Sequence, residues 1–273
     1  MTTSSAAIRF EEVLRPDLMQ GKGAVVSGAG SGIGRAIVLR LVALGMSVTG
    51  FGRREDALKE TADLAAGLAG SFRWTALNVR ETQALEAAMQ EAGERHGIDL
   101  LVNNAGGQFF APAKEISRRG WDAVIDLNLN AVFSATRAAY PFLAERHGAV
   151  VNISLSGIDR GSMGLAHSVA ARAGVLGMTR SLALEWAKDG IRLNCIGPGT
   201  VVTAGLSGEA AKTLLQGLID ATPMGEPTGV DEVAELTAFL ASPAGRLMTG
   251  QLIQIDGAAH LGPGLHMIEA ANA

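Results

Sequence analysis

The sequence predicts an open, doubly wound α/β fold, with a seven-stranded parallel sheet and helices on both faces. Three observations predict it. Short β-branched runs alternate with longer segments of helical apolar spacing along the chain, the pattern of successive βαβ units. A glycine-rich turn stands between the first run and the first such segment. No repeat, low-complexity stretch or linker breaks the order, so residues 1–273 are expected to form a single domain.

The runs near 24–27, 47–51, 72–77, 100–102, 149–153, 191–195 and 252–255 read as strands, because they are short and enriched in β-branched, aromatic or other apolar residues. Segments near 34–44, 55–68, 81–96, 120–146, 166–188 and 231–240 read as helices, joined by right-handed crossovers. Residues 200–223, rich in Gly, Thr and Ala, show neither period and are expected to insert as a lid over the sheet edge.

Charge narrows the possible partners. The formal net charge is −4 and the basic residues are dispersed, so neither nucleic acid nor an anionic membrane is expected, and a small soluble ligand is. Met1 to Gln20 carries Arg9, Glu11, Glu12, Arg15 and Asp17 and no apolar core, so the expected location is cytoplasmic. The lone Cys195 has no disulfide partner and sits in an alternating apolar run, which reads as a buried structural thiol in a reducing compartment. His96, His147, His260 and His266 show no spacing with Cys or acidic residues that suggests a metal, and none is expected.

The glycine turn reads Ser27-Gly28-Ala29-Gly30-Ser31-Gly32-Ile33-Gly34 and leads into an apolar-periodic helix. Glycines there let the backbone approach a pyrophosphate, whose charge is met by the amides and positive dipole end of the helix. Strand, glycine turn and helix together point to a Rossmann-type dinucleotide site. After the second strand, Phe51-Gly52-Arg53-Arg54 offers guanidinium groups and no acid. Arg53 therefore favours a 2′-phosphorylated cofactor, NADP(H).

Further strings carry a family resemblance over nearly the whole chain. Asn103-Asn104-Ala105-Gly106, Asn78-Val79, Pro198-Gly199 followed by Val201 and Thr203, and Asp256-Gly257 resemble motifs of the short-chain dehydrogenase/reductases. The resemblance implies that Asn104, Ala105 and Gly106 lie along the adenosine and ribose, Asn78 and Val79 at the adenine, and Pro198, Gly199, Val201 and Thr203 at the nicotinamide carboxamide. It also implies subunit contacts through 120–146 and 166–188, giving a homo-oligomer, tetramer or dimer.

The catalytic segment departs from that pattern. The family places a tyrosine and, four residues later, a lysine one helical turn apart. Here the run Ser168-Val169-Ala170-Ala171-Arg172-Ala173-Gly174-Val175 sets Ser168 and Arg172 in their places. The preceding family serine falls on Leu155, with Ser154 and Ser156 one residue to either side, and Asn128 matches the remaining member of the usual tetrad. The single tyrosine, Tyr140, lies twelve residues beyond Asn128, about 18 Å along a continuous helix.

Three further strings resemble the peroxisomal trans-2-enoyl-CoA reductase branch. They are Asn103 to Phe109, His167 to Val175 and Ser181 to Ala187, although Leu176 stands where that branch carries a tyrosine. Chemistry leans the same way. Ketone reduction leaves an alkoxide that needs a positioned acid, and serine is a poor one. Hydride addition to an enoyl thioester, an acyl-CoA for instance, instead leaves a delocalised enolate that hydrogen-bond donors can hold.

Ser168, Gln108 and Asn128 are the candidate donors, and Arg172 can hold ribose hydroxyls and supply positive potential. His167 could be an acid at the substrate mouth, or a helix-surface residue turned about 100° from Ser168. Asp159 and Arg160 follow the fifth strand at the ligand-binding edge. Two other functions stay open: carbonyl or alcohol oxidoreduction with His167 or Asp159 as acid, and a weakly catalytic cofactor-binding protein acting in assembly or regulation.

Overall fold

A computed structural model describes residues 17–202 and 209–262. Its strands are β1 (Gly23–Ser27), β2 (Ser47–Gly52), β3 (Ser71–Ala76), β4 (Leu100–Asn103), β5 (Ala149–Ile153), β6 (Arg192–Pro198) and β7 (Leu252–Ile255). All neighbouring strands pair parallel, in the order β3-β2-β1-β4-β5-β6-β7. Val25 of β1 pairs with Thr49 of β2 on one side and with Leu101 of β4 on the other. The winding therefore reverses between β1 and β4, and a crevice opens at their carboxyl ends.

The described residues form eight helices: α1 (Gly32–Ala43), α2 (Glu55–Ala65), α3 (Thr82–His96), α4 (Arg118–Ile125), α5 (Ala131–Arg146), α6 (Ala166–Glu185), α7 (Glu209–Asp220) and α8 (Val230–Ala241). Side chains alternate across the sheet with period two. Ala24 and Val26 meet Ile37 and Leu41 of α1 and Val233 of α8 in one apolar layer. Val25 meets Leu85 and Met89 of α3 and Ala139 and Leu143 of α5 in the other. Strands buried on both faces explain the near-continuous apolar runs in the sequence.

Two helical expectations are corrected. The segment 120–146 is interrupted by a π-helical turn at Asp126–Asn130, where Asn128 Nδ2 donates to Val124 O at 2.8 Å and so enters the backbone ladder. The segment 200–223 contains α7, which strong helix formers such as Glu209, Ala210, Leu214 and Leu215 support even without a clean apolar stripe. β6 also runs three residues further than expected, because Gly197 and Pro198 still pair with Gln254 and Ile255. Among the described residues no helix is long and apolar enough to cross a membrane.

Candidate active site

The crevice is a cleft of about 480 Å³. Gly28, Gly30, Ser31, Gly32 and Ile33 form its floor, Arg53 and Arg54 its outer end, Asn78 and Val79 one wall, and Asn104, Ala105 and Gly106 the other. The turn needs its glycines. Gly28 and Gly32 have φ of 70° and 53°, and a Cβ on Gly34 would fall 2.1 Å from Gly28 O and 2.5 Å from Asn104 Nδ2. Ser31, the N-cap of α1, makes no side-chain cap bond, and the first turn holds no acid. The leading amides of α1 are thus left for an anion.

The turn is braced from both sides. Ser27 Oγ accepts the N–H groups of Asn104 and Ala105, each at 3.0 Å, and Asn104 Nδ2 donates to Ser27 O at 3.0 Å. Arg35 Nη2 donates to Gly30 O at 2.7 Å and pairs with Glu60 at 2.6 Å, a pairing that holds the Glu60 carboxyl below its usual range. Arg54 Nη2 reaches Ser31 Oγ at 3.3 Å. No carboxylate lines the cleft among the described residues. A glycine-floored trough at a helix N-terminus, with guanidinium groups at its outer end, fits a dinucleotide.

Beyond Gly106, where a Cβ would lie 3.3 Å from Arg172 Nη2, stand the first turns of α6. Ser168 is fully buried; its hydroxyl accepts from Arg172 Nη1 and donates to Gln108 Oε1 at 2.6 Å. Arg172 has no carboxylate within ion-pair distance among the described residues, and its buried Nε has no partner. Burial pushes its pKa down to about 10.

Arg172 and Asn128 line a small cavity with Asn103, Asn152 and Ser154. Ser154 is buried with its Oγ unpartnered, whereas Leu155 packs into the apolar cluster of Val175 and Leu176. Of the three residues at the family's serine position, Ser154 is the one that faces the same cavity as Arg172.

Several expected residues take other positions. Asn128 was a candidate donor to substrate, but its amide is spent: Nδ2 donates to Gly107 O and Val124 O, each at 2.8 Å, and Oδ1 accepts from Gly107 N at 3.1 Å. It anchors the loop after β4. His167 is neither at the mouth nor on the surface; it is fully buried, both ring nitrogens lack partners, and Phe109 meets it edge-on at 4.3 Å. The loop after β4 folds over the start of α6 and seals it. Tyr140 donates to Asp189 at 3.1 Å and packs on Trp186, near the far end of α5. Asp159 and Arg160 are exposed on a turn.

The loop after β6 is held by Gly199 N, which donates to Ile255 O at 3.0 Å; a Cβ there would fall 2.9 Å from Asp256 Cα. Pro198 is buried, and Val201 bridges to Thr228. Thr203 lies outside the described residues. Cys195 is buried against Thr179 at 3.3 Å, and burial pushes its thiol pKa up.

One feature of the site floor was missed from sequence. Asn103 Nδ2 donates to Asn152 Oδ1 at 2.8 Å and to Thr136 Oγ1 at 3.0 Å, and Asn152 Nδ2 donates to Thr179 Oγ1 at 2.9 Å. The signal was an Asn ending or nearly ending each of two adjacent apolar strands, after Val102 and after Val151.

Comparison with known proteins gives this arrangement a lineage. A family model described as enoyl-(acyl carrier protein) reductase matches residues 28–260. The chain belongs to the short-chain dehydrogenase/reductase family. Among its relatives in that family, a Bacillus subtilis protein named "Probable 2,4-dienoyl-CoA reductase" is 34% identical, covering 90% of this chain and 99% of that protein. A 3-oxoacyl-(acyl-carrier-protein) reductase of Thermotoga maritima is 35% identical, covering 88% and 98%.

Solved dehydrogenase structures agree. A citronellol catabolism dehydrogenase of Pseudomonas aeruginosa PAO1 superposes with a TM-score of 0.80 at 34% identity, over 92% of this chain and 100% of that one. A short chain dehydrogenase from Bacillus anthracis gives 0.81 at 32% identity, over 90% and 99%. The chain is thus an oxidoreductase of the short-chain type.

Proposed function

We propose that this short-chain oxidoreductase is an NADPH-dependent reductase of an activated carbon–carbon double bond, that of an enoyl thioester. The observation that carries the proposal is Ser168: a neutral hydroxyl, polarised by Arg172 and bonded to Gln108, at the position that the motif resemblance assigns to the family's tyrosine. When bound, the reduced nicotinamide supplies hydride to the β-carbon of the double bond.

The protein's own residues then need to steady an enolate. Gln108, exposed and held by Ser168 through Oε1, turns its N–H groups to the thioester oxygen; the buried Arg172 adds positive potential and holds ribose hydroxyls. Asn128 fixes the loop that carries Gln108. The α-carbon takes its proton from solvent water, so no strong acid is required at the oxygen. Arg53 and Arg54, in a cleft that no carboxylate lines among the described residues, support a 2′-phosphorylated cofactor. Two relatives whose names refer to acyl thioesters support the substrate class.

The test is NADPH consumption with crotonyl-CoA and with simple ketones. Turnover of the enoyl substrate alone is expected. Ketone turnover that vanishes in Tyr140→Phe would overturn the proposal, and tight cofactor binding with neither turnover would point to a role in assembly or regulation.

A further inference from the structure

The loop after β4 and the turn after β5 meet beside Ser168. Ala111 N donates to Gly164 O at 3.0 Å, zipping the two segments together through their backbones. Gly164 has φ of 76°, and a Cβ there would lie 3.8 Å from Phe110 Cδ1, so the Phe110 ring runs alongside the zipped pair. Among the side chains that the two segments present outward, beside the charged Asp159 and Arg160, are two large apolar ones: Phe110 is 58% exposed and Met163 99%. Phe109 closes the inner side, wedged between His167 and the start of α4, where a Cβ on Gly120 would lie 3.0 Å from its Cζ.

Scattered apolar residues on a surface need no explanation. These are not scattered, because Phe109 and Phe110 directly follow Gln108, the residue bonded to Ser168, and Met163 precedes the glycine that zips the loops. The apolar strip therefore begins where the acyl group would leave the thioester site. The unbranched, flexible Met side chain suits a chain whose end position varies.

We propose that Phe110 and Met163, framed by Phe109, form a subsite for the hydrocarbon tail of the acyl group, and that the substrate is a linear acyl thioester whose tail extends past the reacting carbons. This rests on the enoyl thioester reading. A methylene fully buried is worth about 0.8 kcal/mol, about fourfold in affinity; on a half-open strip, six additional methylenes are expected to give about tenfold or more.

The test uses saturated acyl-CoA binding to the full chain with NADP+, measured by calorimetry, and needs no turnover. Decanoyl-CoA is expected to bind at least about tenfold tighter than butyryl-CoA. In Phe110→Gln/Met163→Gln that ratio is expected to fall toward one. The ratio controls for folding, since a damaged fold loses both ligands together. A flat series in the native protein, or a variant that keeps the native ratio, overturns the subsite. Reduction of crotonyl-CoA with a flat binding series overturns the subsite alone; a steep series without enoyl turnover upholds the subsite and removes the reductase reading.

Discussion

The Ser168 hydroxyl donates to Gln108 Oε1 across 2.6 Å, tying the first turn of α6 to the loop after β4. Arg172 can only donate, so the serine oxygen accepts from it and the serine proton goes to Gln108. The carboxamide is thereby fixed with its N–H side free.

If the two residues act as one relay, Ser168→Ala is expected to lower kcat for crotonyl-CoA by about tenfold to a hundredfold, with cofactor affinity kept within about twofold. The Ser168→Ala/Gln108→Ala pair is expected to cost little more than Gln108→Ala alone. Initial rates and cofactor fluorescence titration check this; full additivity would mean the bond does no work in turnover.

Arg172 carries its charge at a cost. Folding lowers its pKa to about 10 by burial, so the charged form is penalised in the folded state below pH 10, and the penalty fades as pH rises above it. Arg172→Met is therefore expected to raise stability by about 1–3 kcal/mol near neutral pH, with the gain shrinking above pH 10. Thermal unfolding of both proteins between neutral pH and about pH 11 measures the difference, and the same variant is expected to bind cofactor at least about tenfold more weakly.

The glycine turn makes a graded prediction. Gly34→Ala would press a methyl to 2.1 Å from Gly28 O, whereas Gly30→Ala meets Ala57 Cβ at 3.1 Å. Cofactor affinity is expected to fall by more than about a hundredfold in the first and by about tenfold or less in the second. Equal losses would mean that the floor of the turn, not its packing, sets affinity.

Cofactor choice should lie with the outer guanidinium groups. Arg53→Asp, which restores an acid near the ribose, is expected to reduce the NADPH-to-NADH preference by about tenfold or more. Paired kcat/KM values for the two cofactors decide it; an unmoved ratio would place selection elsewhere in the cleft.

The strands and the glycine turn were legible because each depends on local pattern: buried Val and Ile runs such as Ala149–Ile153, and glycines that sterics demand. The lining of the cleft was legible as well, since Asn78, Val79 and Gly106, singled out by their motifs, all border it. What stayed hidden depended on distant partners. His167 looked like a surface or mouth residue because its burial comes from Phe109, more than fifty residues earlier. The π-turn at Asp126–Asn130 was invisible because Asn128 Nδ2 bonds Val124 O within the helix while also holding Gly107 of the loop after β4, and no helical periodicity records such bonds.

The amides beneath the site carry an evolutionary consequence. Asn103, Asn152 and Thr179 satisfy one another in sequence across two strands and a helix, away from water. A lineage that mutates one inherits a stranded polar atom worth about 1–3 kcal/mol, against a total margin of only about 5–15 kcal/mol. Drift at this floor should therefore proceed by concerted exchange, so that relatives differ there at both asparagines or at neither.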